Sequence, residues 1–173
     1  LCLVAFLFCG CNSFRLSSSI DDLISPISPS GDNAGVQSAV DEYCKSGYSI
    51  KIPATGNYTT SFILKDIDGD KINEAVAFYE PSNKVGTISM AVIKKSGERW
   101  SVIANVDGTA TDVNSVDFCD FNNDGKLEII VCWSVVSKQT GTSINVYSQN
   151  ENDNKYSLKS VSKAITGLSL IHI

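Results

Sequence analysis

The residues best suited to chemistry lie in two short acidic clusters. The first is DIDGDKINE, at positions 66–74, and the second is DFNNDGKLE, at positions 120–128. Both clusters place a side-chain oxygen at loop positions 1, 3, 5 and 9; these residues are Asp66, Asp68, Asp70 and Glu74 in the first loop, and Asp120, Asn122, Asp124 and Glu128 in the second. Carboxylates held this close repel one another unless a cation lies among them. The clusters therefore predict a cation site.

Ca²⁺ is the cation that this pattern favours. It takes six to eight oxygen ligands in a flexible shell, and alternate side chains of a tight turn can converge on one point. A backbone carbonyl at position 7, from Ile72 or Lys126, and the glutamate at position 9 can complete the shell. We therefore expect Ca²⁺ as the cofactor, in a structural role and with no catalytic residues. The alternative is that these Asp, Asn and Gly residues simply form hairpin turns.

The two loops differ at position 6, where Lys71 stands in the first and Gly125 in the second. Glycine adopts a left-handed backbone without strain, whereas lysine does not. An altered turn at Gly69 can relieve that strain. We therefore expect the second loop to be the better-formed site, despite its lower charge.

The loops belong to a longer repeat that must position them. The second acidic cluster follows the first by 54 residues (position 120 against 66), and Gly86-Thr87 recurs as Gly141-Thr142. From Tyr48 onward the sequence consists of nine strand-length runs rich in Val, Ile, Phe and Tyr, separated by Gly, Asn and Asp. Repeats of this length predict an all-β fold of antiparallel four-stranded blades from an incomplete β-propeller, preceded by a short N-terminal helix. About two blades would lie at 48–167. A third acidic loop would start near position 174, so we expect a fragment.

The order strand, DxDxDGxxE-type loop, strand resembles the FG-GAP/VCBS repeats of integrin-type β-propellers. The resemblance covers about residues 58–160 and rests on FILKDIDGDKINEAVAFY and VDFCDFNNDGKLEIIVCW. It implies calcium binding by the eight side chains above. EF-hand and dockerin loops fit poorly, because position 12 is Ala77 or Val131 and the flanking segments are strands.

The N-terminal part predicts export and membrane anchoring. Residues 1–11 form an apolar run that ends in Cys11 and is similar to a truncated bacterial signal peptide with a lipobox, with Cys11 as the lipidated residue. An ordinary secretory peptide and a buried apolar segment are the alternatives. A Ser- and Pro-rich tether follows at 12–31. An amphipathic helix is expected at about 33–45, within the segment 32–47, with Asp32 or Asn33 as its cap and Gly47 after its end.

The C-terminal residues 168–173, LSLIHI, look like the translation of a sequencing adapter. The alternative is a short terminal strand.

Three cysteines lie beyond the predicted signal peptide and lipobox: Cys44, Cys119 and Cys132. Because their number is odd, the sequence gives no complete set of disulfides. Cys119 and Cys132 are expected to be small buried side chains, and a disulfide between them is the less favoured alternative. Five aromatic side chains are expected between the blades: Phe62, Phe78, Trp100, Phe118 and Trp133.

Composition narrows the function. The chain has 14 Lys and Arg against 19 Asp and Glu and no basic run, which argues against nucleic-acid binding. We expect an extracytoplasmic, membrane-anchored lipoprotein of a bacterial cell envelope that acts as a surface binding or scaffolding module. Its ligand would be an unidentified protein or glycan, and we do not expect an enzyme. The chief alternative is the propeller part of an extracellular enzyme whose active site lies further along the chain. A solute-binding lipoprotein would need alternating helices and strands, which the sequence lacks.

Overall fold

The computed structural model describes residues 31–136, 140–149, 158–160 and 165–166. In this part of the chain one α-helix precedes ten β-strands, which form two antiparallel sheets without closing into a barrel. The predicted fold class is thereby confirmed. Three predicted segments lie outside the described residues: the signal peptide with Cys11, the tether up to residue 30 and the terminal segment 168–173. Within the described part of the chain, the structure contains no helix that could span a lipid bilayer.

The first sheet has four strand positions. It contains β1 (Tyr48–Lys51), β2 (Phe62–Lys65), β3 (Glu74–Pro81), β4 (Ile88–Ser96) and β5 (Arg99–Gly108). Strands β1 and β2 lie end to end along one edge of β3, and β4 and β5 follow on its other side. The short β1 and β2 together therefore occupy the place of a single strand.

The second sheet repeats this arrangement. It contains β6 (Asp112–Cys119), β7 (Glu128–Val136), β8 (Thr140–Gln149), β9 (Leu158–Ser160) and β10 (Ile165–Thr166). The order is β6-β7-β8, with β9 and β10 paired to different parts of β8. Strands β2, β3 and β4 thus correspond to β6, β7 and β8, and each acidic loop joins the first two strands of its set. All nine predicted strands are present, and β10 is additional.

The sheets share one hydrophobic core. Alternate residues of a strand point to opposite faces, so one face of the first sheet meets one face of the second. The first sheet contributes Val76, Phe78, Met90 and Val92, and the second contributes Ile129, Val131, Trp133 and Tyr147. The rings of Phe78 and Trp133 meet edge to face, with centroids 5.7 Å apart.

Helix α1 (Asp32–Tyr43) covers the opposite face of the first sheet. Its buried residues Val36, Ala39 and Val40 pack on a second core cluster, which includes Ala75, Ala77, Tyr79, Ala91 and Ile93. The helix approaches closely at Gly35, where an added Cβ would lie 2.3 Å from a ring carbon of Trp100. A glycine is therefore required at this point of contact.

Several expectations about this region were wrong in detail. The residue before the helix is Gly31, which makes no side-chain cap, and Asp32 instead bonds Lys95 Nζ at 2.8 Å. The helix ends at Tyr43, short of the expected end at about residue 45. Phe62 and Trp100 pack beneath the helix, whereas Phe78, Phe118 and Trp133 belong to the core between the sheets. The helix supplies an apolar surface that the strand pattern alone does not reveal.

The repeat makes the two sheets comparable face by face. In the second sheet, Ile129, Val131 and Trp133 pack on the first sheet, and their equivalents 54 positions earlier are Ala75, Ala77 and Tyr79. The helix therefore covers the face of the first sheet that corresponds to the face by which the second sheet contacts the first. On the other face of the second sheet, Ile130, Cys132 and Ile144 are half-buried.

The cysteines among the described residues are free thiols. Cys119 is exposed, and Cys44 and Cys132 are partly buried. Cys119 is opposite Glu128 and Cys132 is opposite Ser115, so the two thiols are not cross-strand partners. The favoured reading of small buried side chains is wrong for Cys119.

Candidate metal centre

The two acidic loops lie side by side at one end of the paired sheets. The backbone N–H of Leu127 donates to the carbonyl of Ile67 at 2.8 Å, which links the second loop to the first. Gly69 lies so close to the second loop that an added Cβ would be 2.6 Å from the carbonyl oxygen of Gly125. The repeat has therefore brought two equivalent loops into direct contact.

In the first loop, carboxylates hold the turn through backbone N–H groups. Asp66 accepts from Gly69 at 2.8 Å and from Lys71 at 2.9 Å. Asp70 accepts from Ile72 at 2.8 Å, and Asp68 accepts from Asp70 at 3.2 Å. Asp68 and Asp70 each use one oxygen in this way, so their second oxygens are free of backbone hydrogen bonds.

The second loop follows the same scheme. Asp120 accepts from the N–H of Asp124 at 3.2 Å and of Gly125 at 2.9 Å. Asn122 Oδ1 accepts from Asp124, and Asp124 Oδ1 accepts from Lys126 at 2.8 Å. The second oxygen of Asp124 accepts from the Asn122 amide at 2.9 Å. The N–H of Lys126 is the first cause, and the Asn122 amide the second, of a lowered pKa at Asp124.

The glutamate at position 9 is the buried member of each loop. Glu74 is 0% exposed and Glu128 is 6% exposed. Glu74 Oε2 accepts from the N–H of Ile67, and Glu128 Oε2 accepts from the N–H of Phe121, both at 2.9 Å. Position 9 is the first residue of β3 or β7, so the same bond ties each loop to the strand that follows it.

Both loops turn through a left-handed backbone at positions 4 and 6. These are Gly69 (φ 80°) and Lys71 (φ 70°) in the first loop, and Asn123 (φ 57°) and Gly125 (φ 85°) in the second. Lys71 thus has the strained left-handed backbone that was expected at position 6, and no altered turn at Gly69 relieves this strain. The expected difference in backbone between the loops is absent.

A lysine from a neighbouring strand enters the first loop. Lys94, in β4, forms an ion pair with Asp68, a second with Asp70 at 2.7 Å, and a third with Glu74 Oε1 at 3.2 Å. The contact with Glu74 is an ion pair without hydrogen-bond geometry. Burial alone would lower the pKa of Lys94, but the hydrogen bonds to Asp68 and Asp70 outweigh it and raise that pKa. Lys94 is also the first cause of a lowered pKa at Asp70, ahead of the N–H of Ile72.

The acidic members of the predicted ligand set converge in the first loop, although the second loop was expected to be the better formed. Oxygens of Asp66, Asp68 and Glu74 lie within 4.8 Å of one another, and among the described residues this is the acidic group compact enough to hold a metal. Ile72 and Lys126 lie at position 7 as predicted, and the Ile72 side chain is 51% exposed. The sequence analysis missed Lys94, because only the strand register shows that its side chain reaches the loop.

One comparison with known proteins identifies the repeat. A family model described as "FG-GAP-like repeat" matches residues 66–131, which extend from the first position of the first acidic loop into β7. The chain contains an FG-GAP-like repeat. Neither a curated protein nor a solved structure matches the chain significantly. The predicted FG-GAP resemblance is thereby confirmed for the segment that holds both loops of the repeat.

Proposed function

We propose that this chain is a calcium-stabilised FG-GAP-like module that binds a protein or glycan at the outside of a bacterial cell, without catalysing a reaction. The observation that supports it best is the repetition of one loop design in two adjacent sheets. In both loops the same positions supply oxygens, and a buried glutamate bonds the N–H of position 2. FG-GAP repeats usually occur in extracellular proteins, which supports the proposed location.

The donor chemistry fits Ca²⁺. Every candidate ligand is an oxygen, which suits a hard cation. The first loop would use Asp66, Asp68, Asp70, Glu74 and the carbonyl of Ile72; the second would use Asp120, Asn122, Asp124, Glu128 and the carbonyl of Lys126. Glu74 Oε1 supports the proposal most directly, because it is buried and its contact with Lys94 Nζ at 3.2 Å lacks hydrogen-bond geometry. A bound cation would satisfy it.

The proposed role of Ca²⁺ is structural. Each loop joins two neighbouring strands, and the loops contact each other through Leu127 and Ile67. An ion that holds one loop would therefore stabilise a strand pair and the junction between the sheets. Ligands that bind only the folded state raise its stability by mass action.

Calcium titration with a melting readout tests this role. Removal of calcium with a chelator should lower the unfolding midpoint, and added CaCl₂ should raise it again. Asp120→Ala should reduce the calcium-dependent rise, whereas Asp117→Ala should leave it intact, because Asp117 is an exposed residue of β6 outside the loop. A midpoint that does not respond to calcium would refute the proposed metal role.

The proposed membrane anchor rests on the sequence around Cys11. Lipidation of a cysteine adds apolar chains that hold a protein at a membrane surface. Expression of the full gene in a bacterium, followed by mass spectrometry of the N-terminal peptide, should show a diacylglyceryl group on Cys11. A mature N-terminus at another residue, without lipid, would contradict the anchor and leave the calcium proposal unaffected.

A further inference from the structure

The contrast between the two loops lies in a side chain outside both of them. Lys94 follows Ile93, which pairs with Ala75 next to Glu74. In the second sheet the equivalent residue is Ser148, since it follows Tyr147, which pairs with Ile129 next to Glu128. The position that sends an ammonium group into the first loop therefore carries an uncharged hydroxyl in the second.

We propose that Lys94 is a built-in competitor of Ca²⁺, so that the first loop binds the metal only by displacing the lysine, and the second loop binds it more tightly. The inference rests on the proposed calcium function and assigns different affinities to the two sites.

The competition follows from the atoms that the ammonium group contacts. Lys94 takes the oxygens of Asp68 and Asp70 that are free of backbone bonds, and also Glu74 Oε1. These oxygens are the ones that a metal would need. A metal and an ammonium group cannot share them, because both require the same lone pairs and repel each other. Entry of Ca²⁺ must therefore move the lysine out.

Burial makes an empty first loop costly. Glu74 is 0% exposed, and a buried carboxylate without a countercharge is strongly unfavourable. Lys94 supplies that charge in the absence of metal, so the first loop keeps its shape without calcium. Ser148 carries no charge at the equivalent position, so β8 sends no lysine from that position to take the place of the metal in the second loop.

The first experiment isolates the first loop in an Asp120→Ala background. Calorimetric titration with CaCl₂ should show binding about tenfold or more tighter when Lys94→Met is added. The matched control is Lys95→Met, because the neighbouring Lys95 contacts Asp32 instead of the loop. It should leave the affinity unchanged. An affinity for Lys94→Met within about threefold of the background would overturn the inference.

The reciprocal experiment transfers the competitor and does not depend on the folding of the Lys94 variant. Ser148→Lys in the otherwise natural chain should weaken calcium binding at the second loop by about tenfold. Equal affinity in the natural chain and in Ser148→Lys would overturn the inference. Failure of the calcium proposal would give a different result. In that case Asp120→Ala would not reduce calcium binding by the natural chain, and this outcome is independent of the comparison with Lys94→Met.

Discussion

At the scale of single residues, the contact between the loops limits what can stand at Gly69. Its φ of 80° lies in the left-handed region, and a Cβ there would press against the carbonyl oxygen of Gly125. Gly97 also has a positive φ, of 60°, but it has open space around it. The two glycines therefore separate the cost of backbone strain from the cost of steric contact.

We expect Gly97→Ala to lower the free energy of unfolding by about 1 kcal/mol, through backbone strain alone. Gly69→Ala adds the clash with the second loop and should cost about 2–4 kcal/mol. Urea denaturation of both variants without calcium measures the difference. Equal losses would mean that the loops separate without cost and that their contact contributes little to stability.

At the scale of elements, Asp107 joins the end of the first sheet to a turn. In β5, it accepts from Lys84 Nζ at 2.6 Å, from Ser89 Oγ at 2.7 Å and from Asn105 Nδ2 at 3.1 Å. Lys84 lies in the connection between β3 and β4, and Ser89 lies in β4. The Lys84 hydrogen bond, followed by that of Ser89, lowers the pKa of Asp107 below its ordinary value.

This lowered pKa predicts a loss of stability in acid. A carboxyl group whose pKa is lower in the folded state stabilises the fold above its ordinary pKa of 3.8, and that stabilisation is lost as the pH falls through the folded-state value. The midpoint temperature of thermal unfolding should therefore decrease when the pH is lowered below about 4. In Asp107→Asn the fall should be shallower, because the amide does not titrate. Identical pH profiles for the two proteins would show that Asp107 does not contribute.

Much of this element structure is predictable, and the exceptions have physical causes. The strands and both acidic loops are predictable, because the alternation of apolar and polar residues and the repeated acidic motif are both visible in short segments of sequence. The helix start does not follow, because Asp32 bonds Lys95 across a tertiary contact instead of capping. Lys94 is invisible for a related reason: its target is set by the pairing of Ile93 with Ala75, which no local pattern encodes.

At the scale of the whole molecule, the common core predicts that the two sheets unfold together. Trp100 lies in the first sheet beneath the helix, and Trp133 lies in the second sheet against Phe78. A cooperative domain loses both environments in one transition. The two tryptophans can therefore report on the two sheets separately.

We expect Trp100→Phe and Trp133→Phe each to show one unfolding transition, in which the fluorescence of the remaining tryptophan coincides with the circular dichroism of the strands. Each variant is compared with its own dichroism curve, so the stability lost through the substitution does not affect the test. A fluorescence midpoint that departs from the dichroism midpoint in either variant would show that the sheets unfold independently.

The position of helix α1 gives the stack of sheets a direction. Because the helix lies on the surface that an earlier sheet of the same design would need, no further sheet can stack on the first sheet while the helix stays in place. A ring, by contrast, must bring its last member back against its first. With the helix in place that return is blocked, and closure into a circle would require the helix to swing away from Trp100 and expose the alanines beneath it.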